Sequence, residues 1–206
     1  MTSTSSPLIH LVDDDEAVRA SLALLISTVG LRVQTWAQTQ TFLAEFDREG
    51  IGAIVLDVRM PGISGLNLLQ TLVEQGVDQP IVMLTGHGTV DMCRRAFKAG
   101  AAEFLEKPVN DELLLEALQN GVRQHVKARE RTQIDRDARA RYSQLSDRER
   151  EVLGLIVAGL TNKEMGRALG VSPRTVESHR ANLFAKLETE SLAQLVRNYA
   201  ALVDDK

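Results

Sequence analysis

A continuous apolar run, Ala53 to Leu56, ends in a carboxylate at Asp57 and is followed at once by the turn residues Pro61-Gly62. So short and unbroken a run beside a turn reads as a strand buried on both faces. Such strands belong to α/β sheets, whose ligands gather beyond the carboxyl ends of the strands. Asp57 therefore stands where an open α/β sheet does its chemistry. A lone aspartate there commonly just caps the next turn, and only its companions along the chain distinguish the two roles.

The same unit recurs on both sides. Leu8–Val12 is a strand followed by Asp13-Asp14-Asp15-Glu16, after which Val18, Leu22, Leu25, Ile26 and Val29 repeat at helical spacing up to Gly30. Residues 31–35 form a second strand and 39–49 a second helix. Helix 64–75 follows Asp57 and is stopped by Gly76. Strand 80–85 ends in the Thr85 hydroxyl with Gly86-His87-Gly88 beyond, and helix 90–99 is ended by Gly100. A fifth strand, 102–106, leads to Lys107-Pro108, and a fifth helix occupies 110–126. Five alternations predict a doubly wound, flavodoxin-like parallel sheet covered on both faces.

Asp13/Asp14, Asp57, Thr85 and Lys107 then share one edge of that sheet. One or two acids would satisfy the dipole of the first helix, so four in a row leave room for a metal. Three carboxylates suit Mg2+, which prefers oxygen ligands and keeps several waters. A carboxylate nucleophile can accept a phosphoryl group once the developing charge is neutralised. The ion and the Lys107 ammonium can do that, and Thr85 can donate to a phosphoryl oxygen.

Charge is unevenly spread along the 206 residues. Residues 1–107 carry 8 Lys and Arg against 13 Asp and Glu, whereas 145–187 carry 7 against 5. An acidic front and a mildly basic later segment suggest a nucleic-acid partner held weakly by each copy. No apolar run approaches the ~20 residues of a membrane span. Residues 1–7 lack the features of a secretory signal. The single cysteine, Cys93, fits a reducing compartment and a packing or bland surface role rather than redox sensing, so a cytoplasmic protein without membrane contact is expected.

From Gln119 to Tyr142 the apolar stripe thins among many charges, and a helical connector is expected rather than a flexible tether. Beyond it, Ser146-Asp147-Arg148-Glu149 and Thr161-Asn162-Lys163-Glu164 are capping-box patterns, and Ser172-Pro173 caps a helix over 173–187. The short helices around Gly170-Val171-Ser172 make a helix-turn-helix candidate, although any small helical bundle could carry these caps. Leu192, Leu195, Val196, Tyr199 and Leu202 continue a last amphipathic helix.

Asp13-Asp14, Asp57-Val58-Arg59-Met60-Pro61-Gly62 with Gly65, Thr85-Gly86 and Phe104-Leu105-Glu106-Lys107-Pro108 resemble the receiver domain of bacterial two-component response regulators. Leu145 to Glu149, Gly159 to Glu164, Leu169 to Ser172 and Thr175 to Arg180 resemble the LuxR-type DNA-binding domain. Together they resemble the NarL/FixJ class, and its FixJ branch most. The resemblance implies a receiver over 1–124, a helical linker over 125–143 and an all-α helix-turn-helix domain over 144–206. It implies phosphorylation of Asp57 by a cognate sensor histidine kinase. Asp14, Asp57 and the Arg59 carbonyl would ligate Mg2+, with Asp13 nearby or acting through water. Thr85 and Phe104 would form the switch pair, and the Lys107-Pro108 bond is often cis in this family. Arg59 and His87 flank the phosphoryl position and are expected to tune phosphate lifetime through access of water.

In the recognition helix 173–187, Val176, Leu183 and Leu187 point inward. Arg174, Glu177, Ser178 and Ala181 are expected to face the major groove, while Lys163, Thr175, Arg180 and Lys186 meet phosphates. Met165-Gly166 departs from the isoleucine and alanine common at those positions. The family further implies double-stranded promoter DNA and RNA polymerase as partners. It implies dimerisation on phosphorylation through the fourth helix, fifth strand and fifth helix, here with Arg94, Arg95, Lys98 and Glu106, and through the C-terminal helix. Two alternatives are a regulator working without phosphate and an aspartyl-nucleophile phosphatase. The second fits poorly, because haloacid-dehalogenase-type enzymes need an aspartate where Arg59 stands.

Overall fold

Residues 6–203 are described in this computed structural model. Five strands, β1 (Leu8–Val12), β2 (Arg32–Trp36), β3 (Gly52–Asp57), β4 (Ile81–Thr85) and β5 (Glu103–Glu106), pair in parallel in the order β2-β1-β3-β4-β5. The chain order reverses between β1 and β3, so the crevice beyond their carboxyl ends lies beside Asp13 and Asp57. Every residue of β3 is buried, which is why it reads as a run rather than an alternation.

Alternate residues of β3 serve two cores. Ile54 and Leu56 pack with α2 (Thr39–Glu45), α3 (Gly65–Glu74) and α4 (Val90–Lys98) through Phe42, Leu68, Leu69, Leu72 and Ala96. Ala53 and Val55 pack on the other face with α1 (Glu16–Ser27) and the start of α5 (Asp111–Ser143), through Leu22, Ile26, Leu114, Leu118 and Val122. Each fully buried Ile, Val or Leu contributes about 1.5–3 kcal/mol, so the doubly covered central strand is held more firmly than its edges.

The second helix stops at Glu45, four residues short of the expected 49. Phe46 turns to extended backbone (φ −73°, ψ 142°) and stacks on Phe42 with ring centroids 4.5 Å apart. Burying that ring outweighs further helical turns. The second strand lies one residue later than expected, ending at Trp36, which is buried against His10.

The chain divides into two units, residues 1–128 and 129–206. α5 starts in the first and its last turns belong to the second, where Ala138 and Tyr142 join the core formed by α6 (Asp147–Val157), α7 (Asn162–Leu169), α8 (Pro173–Lys186) and α9 (Leu192–Val203). Ser146/Glu149 and Thr161/Glu164 are complete capping boxes, Ser172 caps α8, and Gly170 at φ 68° supplies the left-handed residue that ends α7. Among the described residues no helix is long and apolar enough to cross a membrane.

Candidate acidic site and nucleic-acid interface

Asp57 is the last residue of β3, and α3 begins so close to it that a Cβ at position 65 would lie 2.0 Å from the Asp57 carbonyl oxygen. Only glycine fits there. Asp13 follows β1, with its Oδ1 accepting from the Asp15 amide at 3.0 Å and its carbonyl from Arg19 at 2.7 Å. Lys107 follows β5, its amide donating to the Thr85 carbonyl at 2.7 Å, and the Lys107-Pro108 bond after it is cis. Its Nζ reaches Asp13 Oδ2 at 2.6 Å and Asp57 Oδ1 at 2.7 Å. Asp57 Oδ2 accepts from the Arg59 amide at 2.8 Å.

One ammonium thus serves two buried carboxylates, and the cluster keeps an excess negative charge. Burial pushes the Asp57 carboxyl above the usual aspartate range, against the pull of Lys107 and with help from the Asp13 charge. Burial also works against the Lys107 ammonium, but its bonds to Asp13 and Asp57 win and hold its pKa above the lysine value. Both shifts are upward and so act oppositely on charge: Lys107, with two carboxylate partners, is held charged, whereas Asp57, which shares its one lysine with Asp13, is pushed toward its neutral form.

Thr85 is fully buried, and its hydroxyl donates to the His87 carbonyl at 3.2 Å while accepting from the His87 amide at 3.3 Å. Asp14, Arg59 and His87 are exposed at the rim. Phe104 is half-buried and lines a groove of about 460 Å3 with Val90, Cys93, Phe97 and Glu106. Among the described residues no three His, Cys, Asp or Glu side chains converge on one point. The donors nevertheless fit a hard divalent ion: they are all oxygens, they carry uncompensated charge, and Mg2+ needs few carboxylates beside its waters.

In the second unit, Val176, Leu183 and Leu187 are buried under α8. On the opposite face Arg174, Glu177, Ser178 and Ala181 together line an open hollow of about 480 Å3. Lys163 and Thr175 are exposed. Two of the expected phosphate contacts are engaged within the protein: Arg180 donates to Asn162 Oδ1 at 3.0 Å, and Lys186 Nζ lies 2.9 and 3.1 Å from the Glu149 carboxylate oxygens.

Comparison with known proteins agrees on both units. The response regulator receiver domain matches residues 9–119, and the luxR family of bacterial regulatory proteins matches residues 143–199. The transcriptional regulatory protein FixJ of Rhizobium meliloti (strain 1021) is 43% identical over 189 residues, 92% of this chain and 93% of that protein. The chain belongs to the FixJ-type two-component response regulators. The response regulator protein TodT of Pseudomonas putida is 35% identical over 98% of this chain and 89% of its own length. Among solved structures, the response regulator StyR gives a TM-score of 0.80 at 38% identity, covering 96% of this chain and all of its own. Full-length FixJ from B. japonicum gives 0.60 at 39%, covering 96% and 97%.

Three contacts of this response regulator escape sequence reading. Arg19 binds the Asp13 carbonyl, Arg148 donates to the Leu169 carbonyl at 2.7 Å and so secures the end of α7, and Glu106 accepts from the Gly88 amide at 3.2 Å. Each joins segments far apart or irregular, where periodicity is silent. Gly166 has a visible signal, a glycine inside a helix. A Cβ there would stand 2.8 Å from the Val171 carbonyl, so its absence lets the α7–α8 turn close tightly.

Proposed function

We propose that this response regulator is a transcription regulator switched by phosphorylation of Asp57 and active as a DNA-bound dimer. The observation that carries the reading is the bridge of Lys107 between Asp57 and Asp13 at the carboxyl edge of the sheet, beside Thr85. An Asp57 carboxylate oxygen attacks the phosphorus of a phosphohistidine on a cognate sensor kinase. A P–O bond forms, the P–N bond breaks, and the imidazole leaves with the electron pair and takes up a proton. Lys107 holds Asp57 in place and neutralises charge on the transferring group. Asp13, Asp14, Asp57 and the Arg59 carbonyl would hold Mg2+, which when bound supplies further charge neutralisation on the phosphoryl oxygens. Thr85 exchanges its bonds to His87 for one to the phosphoryl group, and Phe104 follows it inward.

Exposed apolar side chains support dimerisation. Val90 and Phe97 on α4 and Leu113 on α5 are 89%, 46% and 52% exposed, and Leu192 on α9 is 49% exposed. The α4–β5–α5 face, with Arg94, Arg95, Lys98 and Glu106, would pair receivers, and α9 would pair the DNA-bound units. A nearly neutral domain makes few phosphate contacts per copy, so a pair reading half-sites about one DNA turn apart gains most from dimerisation. Arg174, Glu177, Ser178 and Ala181 would meet base edges, and Lys163, Thr175, Arg180 and Lys186 phosphates. RNA polymerase is the downstream partner, and the cytoplasm the compartment. Arg59 and His87, exposed beside the site, would set the lifetime of the acyl phosphate, whose slow hydrolysis is the only turnover expected.

Sedimentation and promoter binding of the full chain, with and without beryllofluoride, test this. Wild type is expected to dimerise and bind DNA more tightly with the mimic, and Asp57→Asn to ignore it. Equal behaviour of the two proteins would remove the reading.

A further inference from the structure

Both bonds of the Thr85 hydroxyl go to His87, so a turn of Thr85 toward a phosphoryl group on Asp57 frees the segment Gly86-His87-Gly88 from it. A Cβ built on Gly86 would meet nothing within 4 Å, so no packing is seen on that side of the segment. The other end is tied. The Gly88 amide donates to Glu106 Oε1 at 3.2 Å, and Glu106 is the ladder partner of Thr85 across β4 and β5. A Cβ on Gly88 would sit 3.4 Å from both the Phe104 ring and the Thr85 methyl and 3.9 Å from the Glu106 carboxyl carbon. Gly88 therefore packs beside both proposed switch side chains, and its amide is held by a carboxylate on β5.

We propose that Glu106 is a positioning residue for the phosphorylation switch, a latch that holds the loop after β4 in its resting place through the Gly88 amide. This rests on the reading of Asp57 and Thr85 given above. The bond from Gly88 to Glu106 is lost when the loop follows Thr85 toward the phosphoryl group. Removing the acceptor then favours the receptive arrangement before any phosphate arrives. The carboxylate also lies on the rim of the dimerisation face, so its part in the latch must be read on the phosphorylation step itself, at protein concentrations where the chain is monomeric.

The experiment follows phosphate uptake from acetyl phosphate with Mg2+, by intact mass, on the full chain. Asp57 displaces acetate: a P–O bond forms to Asp57 and the P–O bond to the acetyl group breaks. Glu106→Ala is expected to take up phosphate about five-fold faster than wild type, the scale of one modest hydrogen bond. Glu106→Gln removes the charge and keeps an oxygen acceptor, and is expected to stay within about two-fold of wild type. Equal acceleration in both variants would make the effect one of charge and overturn the latch. So would unchanged rates, or a loss of thermal stability in Glu106→Ala without acceleration. If wild type itself takes up no phosphate while Asp57→Asn behaves identically, the reading of Asp57 fails and the latch with it.

Discussion

Lys107 Nζ stands 2.7 Å from Asp57 Oδ1 and 2.6 Å from Asp13 Oδ2, joining the end of β5 to the ends of β1 and β3. Lys107→Ala leaves two carboxylates facing each other in a buried crevice. Breaking a fully buried pair costs about 3–5 kcal/mol. The lysine side chain is 21% exposed, and solvent brings the expected loss to about 2–3 kcal/mol. Thermal melting checks this, and added Mg2+ should return more stability to the variant than to wild type. A variant that melts like wild type would mean the bridge contributes little to the fold.

His10 is a second buried polar group, 2% exposed, and Trp36 Nε1 donates to its Nδ1 at 3.3 Å. Burial lowers its pKa below the ordinary 6.5, and the nearby Asp47 charge works the other way without prevailing. The unfolded chain therefore binds a proton at pH values where the folded chain does not. Stability is full above about pH 6.5 and declines as the pH falls through the interval beneath it. Trp36 is the only tryptophan, so its fluorescence reports unfolding of this unit. Urea midpoints are expected to drop between about pH 7.5 and about pH 5.5 in wild type and to hold steadier in His10→Gln.

What could be read from the sequence follows from the range of the interactions involved. Asp57, Thr85 and Lys107 were legible because apolar runs mark the strands, and parallel strands place all their ends on one edge. The caps at Ser146, Thr161 and Ser172 were legible because capping is local. Which of Asp13 and Asp14 meets Lys107 was not legible: that contact spans 94 residues and depends on how β1 ends, leaving Asp13 buried and Asp14 exposed. The early stop of α2 was hidden for a similar reason, since the stack of Phe46 on Phe42 decides it, not helix propensity. Lys186 and Arg180 looked free for phosphates because neither Glu149 nor Asn162 is near them in sequence.

Gly166 sets two effects against each other. Alanine inside a helix is favoured over glycine by about 1 kcal/mol. Here a Cβ would meet the Val171 carbonyl at 2.8 Å, and the Val171 amide holds that turn by donating to the Gly166 carbonyl at 2.9 Å. Backbone must shift to admit it. Gly166→Ala is therefore expected to bring no gain in melting temperature and to weaken DNA binding several-fold by moving α8 against α7. A variant more stable by the full propensity difference, with unaltered affinity, would show that the turn adapts freely.

The Lys186–Glu149 pair ties the end of α8 to the start of α6 and faces two competing demands. Its bonds to Lys186 and Ser146 hold the Glu149 carboxyl down at about 2, from an ordinary 4.5. A carboxylate with a depressed folded pKa stabilises fully above the unfolded value, so this contribution is present above about pH 4.5 and is lost as the pH falls toward 2. The side chains are 25% and 38% exposed, which limits the contribution to about 1 kcal/mol. Glu149→Gln preserves a capping-box residue and should flatten that acid limb. It should also release Lys186 to a phosphate, tightening promoter binding and steepening its salt dependence by about one unit. An unchanged salt slope would mean that Lys186 stays clear of the DNA and serves only to brace the two helices.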